Sequence, residues 1–361
     1  MRLLPLTAVA VCAAVVLAVP GSAGADEIRD AQWHLPWLDL PAAHDISTGE
    51  GTSIGIIDSG VLAEHPDLSG AVQPGLALSG SIDPLADPTG TGTAVASIAV
   101  GRGVGTAGST GVSGGDGILG VAPAAQVVSV SIGDPEIGDG AYVAEAVDEL
   151  VRIGVDVILL SIQHPSNTAT GHSVTAALDA DIPVVTVGGD GGVSYPDAVH
   201  AVAVDRDGQL IGPGAEQETG LTVAAPGEDI PVATPDGGYT TSVGGAPAAA
   251  IVAGTMALVK AHQPGLGGRA LIQHVLSHGV SGPTDEAAGS MGAGVIDPLA
   301  ALTGGGNDVP DSSQEATAED TPAEVVATDN TLLVTSIAVG GLLVQVALLA
   351  YARLVGRKHP A

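Results

Sequence analysis

Through the middle of the chain, short apolar runs alternate with longer amphipathic stretches. Ser53–Ile57, Val127–Ser131, Val157–Ser161, Pro183–Val187 and Ala201–Val204 have the length and β-branched content of strands. Several are apolar throughout instead of alternating, which is the pattern of a strand covered on both faces. Thr93–Val100, Ala141–Arg152, Ser173–Ala180 and Ala248–Ala261 read as helices between them, and glycine and proline punctuate the gaps. The expectation is an α/β domain, a parallel sheet with helices on both faces. Gly101–Gly120 is a glycine-rich stretch of about 20 residues, which reads as an insertion or a mobile surface loop.

The ends follow other patterns. Residues 1–25 read as a signal peptide, with Arg2 at the start, an apolar run Leu3–Val19 and the small-residue cleavage site Ala23-Gly24-Ala25. An uncleaved anchor is the alternative. Residues 304–330 lose apolar periodicity, turn rich in Asp, Glu, Ser, Thr and Pro, and read as an acidic disordered linker. Thr331–Ala352 is uncharged, apolar and long enough for a bilayer core, so residues 331–352 read as a transmembrane helix, with a buried core helix as the alternative. Arg353, Arg357 and Lys358 make 353–361 a basic cytoplasmic tail. The expectation is a single-pass protein of the cell membrane whose main domain, 26–303, lies outside the cytoplasm.

Charge narrows the partners. The sequence holds 40 acidic and 10 basic residues, and removing Arg2, Arg353, Arg357 and Lys358 leaves 40 against 6, a balance of −34 between the ends. Such a surface repels nucleic acid and anionic lipid. The only cysteine is Cys12, inside the signal, so the exported part has no disulfide and must hold by its core.

Candidate chemistry starts at Asp58, at the end of the buried run Ser53-Ile54-Gly55-Ile56-Ile57-Asp58-Ser59-Gly60, with His65-Pro66-Asp67-Leu68 following. Alone, an aspartate there is as often a turn former as a catalyst. Asp87-Pro88-Thr89-Gly90-Thr91-Gly92-Thr93-Ala94-Val95-Ala96, Gly120-Val121-Ala122-Pro123, Val223-Ala224-Ala225-Pro226-Gly227 and Gly294-Val295-Ile296-Asp297-Pro298 follow in order. Together these segments resemble the subtilisin-like serine protease family, peptidase S8, from about residue 30 to residue 302. The stretch Trp33–Leu40, the ending Val295–Leu302, the linker and the C-terminal span are similar to the mycosins, membrane-anchored subtilases of type VII secretion systems. The absence of disulfides departs from the mycosin pattern.

A subtilase triad joins a serine nucleophile, a histidine base and an aspartate that orients the histidine. The resemblance implies Asp58 as that aspartate. It expects the histidine where Thr91 stands, in Gly90-Thr91-Gly92-Thr93, and the serine where Ala246 stands, in Gly244-Gly245-Ala246-Pro247. A threonine hydroxyl does not accept a proton near neutral pH, and a methyl group does not attack a carbonyl. The oxyanion asparagine is expected where Val184-Val185-Thr186-Val187-Gly188-Gly189 runs into Asp190, whose carboxylate would repel the charge it should stabilise. Ser161, Ile162 and Gln163 resemble the strand lining a substrate groove, with His164 next to it.

With these substitutions, the resemblance implies a pseudoprotease that binds or scaffolds, with a type VII membrane complex or an extended peptide as partner. The alternative is an active serine endopeptidase that processes secreted substrates with an unrecognised nucleophile such as Ser242. Placing Ser242 at the nucleophile position requires about four more residues before Gly254, one inserted helical turn. No cofactor is expected. Subtilases often carry structural calcium, but no ligand spacing singles out a loop here, and no metal residue is assigned.

Overall fold

The computed structural model describes residues 25–78, 83–104, 115–133, 140–162, 167–188, 195–212, 221–280 and 291–304. The expected signal up to residue 24, the linker beyond residue 304, the span 331–352, the tail 353–361, Gln163, His164 and Asp190 lie outside the described residues. Among the described residues no helix is long and apolar enough to cross a membrane.

Seven strands form the main sheet: β1 (Ser53–Asp58), β2 (Val72–Ala77), β3 (Gln126–Ser131), β4 (Val157–Leu160), β5 (Val184–Val187), β6 (Val199–Val204) and β7 (Leu221–Pro226). Their order is β2-β3-β1-β4-β5-β6-β7, and every neighbouring pair is parallel. The five apolar runs fall on β1, β3, β4, β5 and β6, with ends within two residues of those expected. Sequence reading passed over both edge strands, β7 and β2, the latter containing Pro74-Gly75. Proline is tolerated there since β2 is an edge strand, and its register with β3 shifts between Pro74 and Ala77.

Nine helices are described: α1 (Ala25–Ala31), α2 (His34–Trp37), α3 (Leu40–His44), α4 (Thr91–Val100), α5 (Gly140–Ile153), α6 (Thr168–Asp179), α7 (Gly245–His262), α8 (Gly268–Ser277) and α9 (Pro298–Thr303). Consecutive strand residues divide between two apolar layers. Ile56, Val127, Leu159 and Val185 pack with α4 and α7, whereas Ile57, Val128, Leu160 and Val184 pack with α5 and α6. That division is why the strands read as unbroken apolar runs. Helix α7 is buried from Pro247 to Val259 on every side, so it lies inside the protein and not on its surface. A separate antiparallel hairpin, β8 (Ile230–Ala233) with β9 (Tyr239–Ser242), precedes it.

Two consequences position the site. Strand β1 lies between β3 and β4, so the chain reverses its direction of sheet building there. The carboxyl ends of β1 and β4 therefore border a topological switch point, where open α/β sheets place ligands. The N-terminal helices α1 to α3 are fastened to loops of the main fold. Gln32 both donates to and accepts from the Leu119 backbone, each at 2.9 Å, and the Trp33 indole N–H donates to the Glu228 carbonyl at 3.0 Å.

Candidate functional site

Strand β1 delivers Asp58 to the switch point almost completely buried, at 1% exposure. One carboxylate oxygen, Oδ1, accepts from the Ser59 amide at 2.7 Å, the Ser59 hydroxyl at 3.1 Å and the Thr91 hydroxyl. The other, Oδ2, is hydrogen-bonded to the hydroxyl of Ser161, at the end of β4, which also lies 3.3 Å from the Ile57 carbonyl. Among the described residues no histidine ring reaches this carboxylate. Burial pushes the Asp58 carboxyl above the ordinary carboxylate range; the bonds from Ser161, Thr91 and Ser59 pull it back, and the negative charge of Asp87 pushes it up further.

Thr91 is the first residue of α4, so its hydroxyl stands where the helix presents unpaired amides and a partial positive charge. Asp87 takes up those amides. Its carboxylate accepts from the amides of Thr89 at 3.2 Å, Gly90 at 2.8 Å and Thr93 at 2.7 Å, and from the Ser59 hydroxyl at 2.6 Å. The Thr89 hydroxyl donates to Ser59 Oγ at 2.7 Å and lies 2.9 Å from Thr91 Oγ1. Two buried carboxylates are thus joined by hydroxyls into one network. Gly92 is required for this approach, because a Cβ there would overlap the Gly60 carbonyl oxygen and press on the Asp58 side chain. Ser59, Asp87 and Thr89 were not singled out by sequence reasoning. Asp87 works through backbone amides, which leave no pattern in side-chain spacing; the signal was an Asp a few residues ahead of a helix start.

Ala246 is the second residue of α7, and its half-buried methyl group packs against the core. The helix tip abuts the end of β5: a Cβ on Gly245 would stand 2.6 Å from a Val187 methyl and 2.9 Å from the Gly188 carbonyl oxygen. The segment containing Asp190 follows, outside the described residues. Ser242 lies in β9, paired with Ile230 of β8, and no histidine ring among the described residues bonds to it. The structure thus brings Asp58, Thr91 and Ser161 into contact. It places Ala246 at a helix start and Ser242 in a hairpin. Ile162, next to Ser161, is buried against α5 and α6. His65 is buried in its turn, where its Nδ1 accepts from the Asp67 amide at 3.2 Å and its Nε2 lies 3.2 Å from the Gly238 carbonyl. No group of three or more histidine, cysteine, aspartate or glutamate side chains among the described residues is arranged to hold a metal ion.

A parallel sheet in this order, with a buried aspartate closing β1 and a long buried helix entering behind β5, invites comparison with known proteins. The sequence model of the Subtilase family, Peptidase_S8, matches residues 49–294. The chain belongs to the subtilase family. This subtilase is 29% identical over 246 residues to Subtilisin Savinase of Lederbergia lenta, a match covering 65% of the chain and 86% of that protein. It is 30% identical over 246 residues to Subtilisin E of Bacillus subtilis, covering 63% of the chain and 60% of that protein. Among solved structures, the MycP3 protease from the type VII (ESX-3) secretion system matches with a TM-score of 0.61 at 26% identity, over 75% of this chain and 87% of that one. MycP1 from Mycobacterium smegmatis shares the fold with a TM-score of 0.60 at 22% identity, over 82% of this chain and 89% of that one.

Proposed function

We propose that this subtilase is a membrane-anchored, extracytoplasmic pseudoprotease that acts as a mycosin-like structural or binding component of a type VII secretion system. The observation that carries the reading is the set of partners around Asp58. A catalytic aspartate orients an imidazole; this one holds the hydroxyls of Ser59, Thr91 and Ser161. Ala246 supplies no nucleophile at the start of α7, and Asp190 supplies no neutral donor for an oxyanion. In subtilisin, loss of the oxyanion donor costs about 10²- to 10³-fold and loss of the triad as a unit about 10⁶-fold. Losses on that scale at three positions leave no useful peptidase turnover.

The place of action rests on the likeness to MycP3 and on the expected signal peptide, linker and C-terminal span. An acidic linker at 304–330 would hold the domain away from an anionic lipid surface while keeping it tethered. The test is deletion of the gene together with photo-crosslinking of the intact protein in its own membrane. The reading expects loss of type VII export, restored by the chain carrying Thr91 and Ala246, and crosslinks to a membrane component of that machine. Normal export after deletion, with no such component crosslinked, contradicts it.

A further inference from the structure

The chain has two tryptophans, and both stand on one surface of the main fold. Trp33 and Trp37 meet edge to face with ring centres 5.9 Å apart, and the Arg206 guanidinium lies 5.2 Å over the Trp33 ring. The Trp37 indole N–H donates to the Arg206 carbonyl at 3.2 Å. Helix α2 and the residue before it thereby clasp the turn after β6. Beside the clasp opens a cleft of about 360 Å³, with Val295 and Ile296 among the apolar residues lining it, and Trp37, Val280, Asp39 and Asp207 around it.

This cleft is apolar within and acidic at its mouth. Trp37 and Val280 are 37% and 54% exposed, which leaves two large apolar side chains facing water across one depression. Arg206, the only basic residue of the lining, has its charge over the Trp33 ring. Among the described residues no ion pair engages the Asp39 or Asp207 carboxylate. A tryptophan at the edge of an apolar depression is the residue type that most often anchors a protein contact, and complementary charge around it sets which partner is admitted.

We propose that this cleft docks a protein segment that seats one aliphatic side chain between Trp37 and Val280 and directs a flanking lysine or arginine to Asp39 and Asp207. An acidic or purely apolar segment meets the same floor without the charge match, so the surface selects for basic character beside the anchor. The site is separate from Asp58, since β6 lies three strands from β1, roughly 14 Å at the usual strand spacing. It stands whether or not the chain has peptidase activity.

Trp37 lines the cleft and Trp33 packs against Trp37, so the intact protein can be titrated by its intrinsic fluorescence. The probe is the end-blocked pentapeptide Gly-Lys-Leu-Arg-Gly, with Gly-Glu-Leu-Glu-Gly as the comparison. The expected result is a saturable emission change with the basic peptide and binding at least about tenfold weaker for the acidic one. Asp39→Asn together with Asp207→Asn should remove most of that preference, and Val280→Ser should weaken binding of the basic peptide. All three side chains are exposed, so the fold is not at stake. No saturable change up to about 5 mM, equal affinity for the two peptides, or an unchanged preference in the double variant overturns the proposal.

Discussion

Asp58 shows how much a residue's surroundings decide its chemistry. Its carboxyl is raised because burial disfavours the charge more than the bonds from Ser161, Thr91 and Ser59 favour it. A carboxyl whose folded pKa lies above its unfolded one stabilises the fold fully below the unfolded pKa, and that contribution is lost as pH rises through the folded value. Near neutrality the buried charge therefore works against the fold. Asparagine meets the same neighbours: its oxygen accepts from Ser59 and Thr91, while its amide donates to Ser161, whose hydroxyl turns to the Ile57 carbonyl. Asp58→Asn should therefore raise the unfolding midpoint at pH 8 and flatten its decline with rising pH, as followed by thermal scans across pH. A lower midpoint at pH 8 would show that the carboxylate is held as a useful charge. His34 shifts the other way. Burial alone pulls it from 6.5 to about 3, and among the described residues neither ring nitrogen has a hydrogen-bond partner. A depressed histidine gives stability that is present above its unfolded pKa and is lost as pH falls towards the folded value. The loss between about pH 6.5 and pH 3 is on the order of 4–5 kcal/mol, and His34→Leu should remove it from the acid limb of the stability curve.

At the scale of elements, the strands were legible because a strand covered on both faces must be apolar on both faces. Edge strand β2 was hidden by Pro74-Gly75, which only its position at the edge explains. The start of α4 is the element on which the candidate site depends. Asp87 accepts the amides of Thr89, Gly90 and Thr93 and the Ser59 hydroxyl, so Asp87→Ala unpairs four donors at once, of which the Thr93 amide and the Ser59 hydroxyl are buried. The expected cost is about 2–4 kcal/mol in denaturant unfolding, above that of an ordinary cap because the Thr93 amide and the Ser59 hydroxyl are sheltered from water. A loss under about 0.5 kcal/mol would mean that water replaces the carboxylate freely. Nothing in the spacing of side chains pointed to this network, since most of its bonds run to backbone. By contrast, Asp58, Thr91 and Ala246 stood out at once, each being a residue type set within a motif.

At the scale of the whole molecule, the parallel α/β sheet and the subtilase family agree with the sequence reading, and the sheet order explains why. Seven parallel strands with a reversal at β1 bring residues from distant segments, Asp58, Thr91 and Ser161, to one point. Among the described residues that point holds hydroxyls and carboxyls joined by hydrogen bonds. This cluster should do no covalent chemistry, and the decisive experiment is labelling of the purified protein with a serine-reactive fluorophosphonate probe. No serine should take up stoichiometric label at neutral pH. Stoichiometric labelling that disappears on Ser242→Ala would contradict it and return the chain to the active peptidases.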